Sequence, residues 1–214
     1  MSFIFIFSPS ITIGHHKNAA TPCDPASARM NESVYFFLPR SIFGGLVSAW
    51  RIEVDRIKKR GASILSHQIF WGEFCSIVFY GIIFFHFGEK ALAFLILQTL
   101  VGIIDLECVN YIQHYGLRRR RLKPGKYEAV NVWHSWNSDS FFTNQYLIRL
   151  PMHSQHHQHP SYPYYQLTLD EKSPDLPTGY GGLIPLTLLP FVWFRLMNPK
   201  VKEVRKENWK CRQK

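Results

Sequence analysis

Apolar positions along this chain gather into long runs. Residues 69–88 and residues 91–112 are each almost wholly apolar, and only Gly88-Glu89-Lys90 separates them. At 1.5 Å per residue either run can cross a hydrocarbon layer of about 30 Å. The pattern therefore predicts a transmembrane helical hairpin. In the first run Glu73 and His86 lie near the two ends, where both can reach the interface; in the second, Asp105 and Glu107 are expected to face a polar interior.

The flanking segments are shorter and more broken. Residues 1–13 form an apolar leader that lacks the basic start and small-residue cleavage site of a signal peptide. Residues 17–33 read as loop. Residues 34–50 are aromatic and apolar but carry Pro39 and Gly44-Gly45, which favours an interfacial or re-entrant stretch over a straight span. A basic amphipathic run, Arg51 to Arg60, follows at a membrane edge. Residues 182–198 are apolar with Pro185 and Pro190, predicting a kinked interfacial or re-entrant helix. The charged tail from Lys200 is expected to fray. His67 and His86 are expected at the membrane interface.

Charge changes this picture by giving it a direction. Lys plus Arg number 25 against 15 Asp plus Glu. Arg51, Arg56, Lys58, Lys59 and Arg60 precede the hairpin, Arg118 to Arg121, Lys123 and Lys126 follow it, and its turn carries only Lys90. Cytoplasmic loops are enriched in such residues, so both flanks are expected on the cytoplasmic side. Basicity placed beside apolar runs points to membrane lipid and away from nucleic acid. The four cysteines form no C-x-x-C pair, which excludes a zinc ribbon or a fused rubredoxin-type iron site.

Histidine supplies the candidate chemistry. In residues 152–160, Met-His-Ser-Gln-His-His-Gln-His-Pro, His153, His156 and His157 stand at i, i+3 and i+4. On a helix these offsets share one face. Neutral imidazoles gathered there make a metal site, and Pro160 ends the helix just beyond. Gly14-His15-His16 is a weaker pair. His114 lies where the second run ends, and Glu107 is placed to orient a ligand imidazole through its other ring nitrogen. His134, between Trp133 and Trp136, has a packed structural reading and a ligand-supporting one.

These segments, in order, resemble the signatures of membrane alkane 1-monooxygenases, within the fatty-acid-desaturase-like membrane superfamily. The segments are residues 14–29, 38–51, 110–117, 134–138 and 153–160. The His-Tyr-Gly at 114–116 separates the resemblance from ordinary desaturases, which share only histidine boxes. It implies an all-α integral-membrane bundle with cytoplasmic histidine-bearing helices, of which residues 14–201 are the C-terminal part and 202–214 a basic tail. It implies two irons held by nine histidines, hydroxylation of alkane terminal methyl groups with O2, and electrons from rubredoxin and rubredoxin reductase. The location implied is an inner or plasma membrane if the source is bacterial.

Six ligands carry over: His15, His16, His114, His153, His156 and His157. Glu107, Gln113, His134, Asn137 and His159 are candidates to support them. The chain also departs from the pattern. Ser10 and Ile11 stand where the resemblance expects a glutamate and a histidine, an earlier histidine pair is absent, and Gln113 replaces a glutamate. Three missing ligands predict weak iron loading and little alkane turnover by this chain alone, with residues 1–13 unrelated to the domain. The alternatives are an inactive membrane remnant or truncated product, and a related fatty-acyl desaturase or hydroxylase.

Overall fold

The computed structural model describes the backbone of residues 9–211 and the side chains from Gly14 to Cys211 except that of Ile64. The leader expected at 1–13 thus lies mostly outside the described residues. Seven helices dominate: α1 (Pro9–Asn18), α2 (Val34–Arg60), α3 (Gln68–His114), α4 (Phe141–Tyr146), α5 (His153–Gln158), α6 (Tyr180–Thr187) and α7 (Pro190–Cys211). One small antiparallel ribbon, β1 (Arg121–Lys123) with β2 (Lys126–Tyr127), lies between α3 and α4.

Among the described residues α3 is the one helix long and apolar enough to cross a membrane. It is not straight. At Gly88 the backbone turns to φ 77°, ψ −176°, a region that only glycine enters without strain. The chain reverses there. Tyr80 Oη and Thr99 Oγ1 lie 2.9 Å apart, whereas a straight helix would hold these residues about 28 Å apart. The two apolar runs therefore form a hairpin, with arms 68–87 and 89–114. Phe74, Ile77, Phe84, Phe85, Phe94, Leu97 and Val101 project outward from it, as lipid-facing side chains do.

The core lies at the open end of the hairpin. Cys108, Val109, Tyr111, Ile112 and Tyr115 pack against Val34 and Phe37 of α2, Tyr180 and Leu183 of α6, and Trp193, Met197 and Val201 of α7. Aromatic rings tie the layers, with Phe37 at 5.2 Å and Trp193 at 5.5 Å from Tyr111. Buried hydroxyls are anchored too: Tyr111 donates to the Glu32 carbonyl (2.6 Å) and Tyr115 to Asn198 (2.8 Å). The Trp136 indole N–H donates to the Tyr115 carbonyl at 2.9 Å. These bonds dock the α1–α2 loop and α7 onto the last turns of α3.

Four sequence expectations change. Residues 34–50 and the following basic run form one continuous helix, α2. Pro39 removes a single N–H near its start. Gly44 is the point where the Asp24–Ser27 loop crosses, since a Cβ there would sit 2.8 Å from Pro25 Cβ. The tail is helical as far as Cys211, the last described residue. α7 continues to Cys211 because Val201, Val204 and Asn208 bury a stripe and Arg205 donates to the Gly116 carbonyl. His67 is buried, with Nδ1 accepting the Phe70 N–H at the start of α3 and its ring 4.3 Å from Trp50. His86 is exposed on the first arm. The kink expected in 182–198 is a break at Leu188-Leu189, with Pro190 opening α7.

Gly88→Val should destabilise the hairpin by about 1–3 kcal/mol, read as a lower melting temperature of the detergent-solubilised protein. An unchanged melting curve would show that the reversal does not depend on glycine.

Candidate metal centre

Six histidines arrive from three elements. His15 and His16 lie in the last turns of α1, His114 is the last residue of α3, and α5 carries His153, His156 and His157. The Nε2 atoms of His114, His153 and His157 form a triangle with sides of 3.0, 3.0 and 3.3 Å. His15 completes the set: one ligand atom from each of these four histidines lies within 4.8 Å of the others. His16 and His156 stand alongside, with ring centroids 4.7 Å apart and His16 also 4.7 Å from His157.

This geometry fits a metal. A neutral imidazole has one N–H and one lone pair, so three nitrogens at mutual contact cannot all be satisfied by one another. Metal–nitrogen bonds of about 2.1 Å at right angles would place ligand nitrogens about 3.0 Å apart. Nδ1 of His16 and Nε2 of His15 are also buried without a hydrogen-bond partner among the described residues. Burial, reinforced by the neighbouring imidazoles, holds His153 and His157 well below the usual histidine pKa. Burial with His156 and His15 nearby pushes His16 down to about 4. All three are thus held neutral, the form that ligates.

α5 spans only Pro160's predecessors from His153 to Gln158, too short to be stable alone. Asn137 holds it in place. Its Oδ1 accepts the Ser154 N–H (2.9 Å) and hydroxyl (3.0 Å), while its Nδ2 donates to the Ser135 carbonyl at 3.1 Å. At the other side Gln155 and Thr168 exchange two hydrogen bonds. His114 is fixed by the end of α3, where the Trp136 N–H donates to the Gln113 carbonyl at 2.8 Å.

The remaining candidates fall at different distances from the cluster. His134 is buried, its Nδ1 accepting the Asn131 N–H and its Nε2 3.1 Å from Glu128. Its backbone stands beside the His114 ring without full hydrogen-bond geometry at Nδ1. Gln113 turns its buried amide toward Tyr180. Glu107 is buried near Ser41 and Asn110 and is close enough to His15 to act on it electrostatically. His159 is exposed and stacks on Tyr162 at 4.5 Å, outside the cluster.

Sequence reasoning passed over Asp24. Its Oδ2 is 2.9 Å from His15 Nδ1, which leaves His15 Nε2 to face the other histidines. Asp24 also accepts the Ser27 hydroxyl (2.6 Å) and the Ala26 N–H (3.2 Å), and Arg40 clamps the loop through the Pro25 and Ser27 carbonyls. Burial opposes charge on both partners, yet their attraction prevails: the Asp24 pKa is lowered and that of His15 raised. The available signal was Asp-Pro-Ala-Ser, a turn in which an aspartate bonds its own backbone.

Residues 13–177 match the fatty acid desaturase family. The chain belongs to that family. Within and beside it, the chain is 40% identical over 197 residues to an alkane 1-monooxygenase of Acinetobacter baylyi, covering 91% of this chain and 48% of that protein. It is 41% identical over 191 residues to an alkane 1-monooxygenase of Ectopseudomonas oleovorans, covering 88% and 47%. It is also 25% identical over 195 residues to the hydroxylase component of a xylene/toluene monooxygenase of Pseudomonas putida, covering 88% and 50%. The chain spans about half the length of these relatives and matches their C-terminal part. In this fatty acid desaturase family chain, the histidine cluster stands at the open end of the apolar hairpin.

Asp24→Asn keeps the size of the side chain and removes the charge that orients His15. Metal affinity should fall by about 10–100-fold, measured by titrating the purified protein with ferrous or cobaltous ion. The pH dependence should change with it. A raised pKa means that protons compete for His15 at higher pH, so wild-type affinity drops as pH falls through that value, and the drop should move to lower pH in Asp24→Asn. Equal affinities and profiles would remove Asp24 from the site.

Proposed function

We propose that this chain forms the metal-bearing part of a membrane hydroxylase of the alkane 1-monooxygenase type. The carrying observation is the convergence of His15, His114, His153 and His157, with His16 and His156 beside them, at the open end of an apolar hairpin. Imidazole alone would suit iron, zinc, copper or nickel; the oxygenase chemistry named for the relatives favours a redox-active ion such as iron. The six histidines fall into a group of four and a flanking pair, which supports a reading with two adjacent ions. His15, His114, His153 and His157 would hold one, and His16 and His156 would contribute to the second.

When bound, such a centre supplies oxygen activation for insertion into an unactivated C–H bond. The protein's own contribution is positional. Asp24 and Asn137 set the direction of His15 and of α5. The aromatic core behind α3 keeps water from the rear of His114. The hairpin reaches the cluster from the lipid phase, where an alkane without polar groups would be found. The basic flanks support a cytoplasmic position for the cluster, where rubredoxin and its reductase would reach it as electron donors.

A second reading, metal binding without turnover by this chain alone, is favoured by Ser10 and Ile11. Ile11 stands at a ligand position of the resemblance and has no lone pair to donate.

The test is iron content and octane hydroxylation of the purified chain in nanodiscs with rubredoxin and reductase. Iron should co-purify and be lost in His153→Ala/His157→Ala, while turnover by residues 1–214 alone should be near background. A protein that binds no iron would refute the metal-centre reading. Robust turnover would refute the second reading and show that six histidines suffice.

A further inference from the structure

Beyond the metal site, a second surface stands exposed at the junction of α6 and α7. Leu188, Leu189, Phe191 and Val192 project outward there, Phe191 with 79% of its surface free. Phe191, Val192 and Leu196 line a shallow cleft of about 360 Å³ with Arg195 at its rim. Arg195 is exposed and has no acidic partner among the described residues.

Its level along the molecule is fixed by contacts with α3. Thr187 Oγ1 lies 4.0 Å from Cys108 Sγ, and the Trp193 ring is 5.5 Å from Tyr111. Farther along α7, Arg205 donates to the Gly116 carbonyl. So α7 runs alongside the end of the second hairpin arm and points away from the membrane. The end of α6 lies level with Cys108, about 9 Å nearer the membrane than His114 along the axis of α3, and the first turn of α7 lies level with Tyr111. Leu106 and Ile104, one turn farther in, are still outward-facing residues of the span.

α2 continues the same surface. It crosses the open end of the hairpin, meeting the second arm through Phe37 and the start of the first through Glu53, which accepts the Gln68 N–H at 2.8 Å. Tyr35 bonds the Leu188 carbonyl at 2.8 Å, joining α2 to the α6–α7 corner. The outward side of α2 carries Phe36, Phe43, Val47 and Trp50, a stripe at helical spacing.

We propose that the α6–α7 corner and the outer stripe of α2 form an interfacial collar that seats phospholipid. Acyl chain would lie on Phe191, Val192 and Leu196, and Arg195 would meet the headgroup phosphate. The apolar surface is continuous with the lipid-facing hairpin, lies at the depth where the span ends, and carries a free cation at its outer edge. Apolar side chains below and a basic one above are the pattern of an interfacial segment. The collar would fix the depth of the histidine cluster relative to the bilayer, and the inference stands whether or not the hydroxylase reading does.

The experiment places an environment-sensitive fluorophore on Val192→Cys, in a full-length background with Cys23, Cys75 and Cys211 changed to serine. Leu189→Cys serves as a second labelled position and Lys202→Cys as the control beyond the interface. In nanodiscs of phosphatidylcholine and phosphatidylglycerol, the labels at 189 and 192 should emit to the blue of the label at 202. They should also be quenched several-fold more strongly by lipids brominated near the headgroup. Quenching by aqueous iodide in place of brominated lipid at both positions would overturn the proposal. So would protection from both quenchers with energy transfer between differently labelled copies, which would assign the surface to a second chain.

Discussion

The structure depends on holding several uncharged imidazoles with their lone pairs converging in a buried space. Left to themselves they repel, and water would separate them. Here they are held by elements that have other reasons to be where they are. His114 ends a hairpin arm anchored by Tyr111, Tyr115 and Trp193. His153 and His157 ride a short helix pinned by Asn137 through Ser154. His15 is turned by Asp24, in a loop that Arg40 clamps to α2. The aromatic core and the polar loop network thus serve a single purpose, to keep side chains from three distant stretches of sequence in contact.

How much of this the sequence showed depends on the range of the interaction. The hairpin was legible because two apolar runs around Gly88 leave few alternatives. The α5 histidines were legible from spacing, although the spacing alone hides a division of labour. His153 and His157, four apart, point nearly the same way, while His156 is turned about 100° from His157. That rotation sends His156 to His16 and lets one helical turn serve two neighbouring groups. Asp24 was hidden because its role arises only when a loop folds back on α1. The order in α7 was hidden because its valines look isolated among charges until Gly116 and the α3 terminus are brought beside them. The unbroken α2 was hidden because Pro39 and Gly44 usually interrupt, and here one costs a single bond and the other admits a crossing loop.

The fatty acid desaturase family assignment and the site geometry constrain different things. The family match and the monooxygenase relatives speak for a kind of chemistry and for a membrane setting. The geometry speaks for this chain's own ability to bring ligands together. The two meet at His114, which the sequence places at the end of an apolar run and the structure places at one corner of the imidazole triangle.

Charge balance gives a further argument that the cluster is built around cations. Glu107 and Asp24 are both buried, and both act on His15. Asp24 is satisfied by His15, Ser27 and backbone. Glu107 keeps Oε2 without a hydrogen-bond partner among the described residues. A carboxylate so far from water is costly unless a positive charge lies nearby. The described cations of α2 and the basic flanks are on the surface, and His15, the imidazole that Glu107 acts on, is already paired with Asp24. A metal ion among the imidazoles would supply the missing charge, and a buried acidic position in this hairpin arm would then have a physical reason to exist.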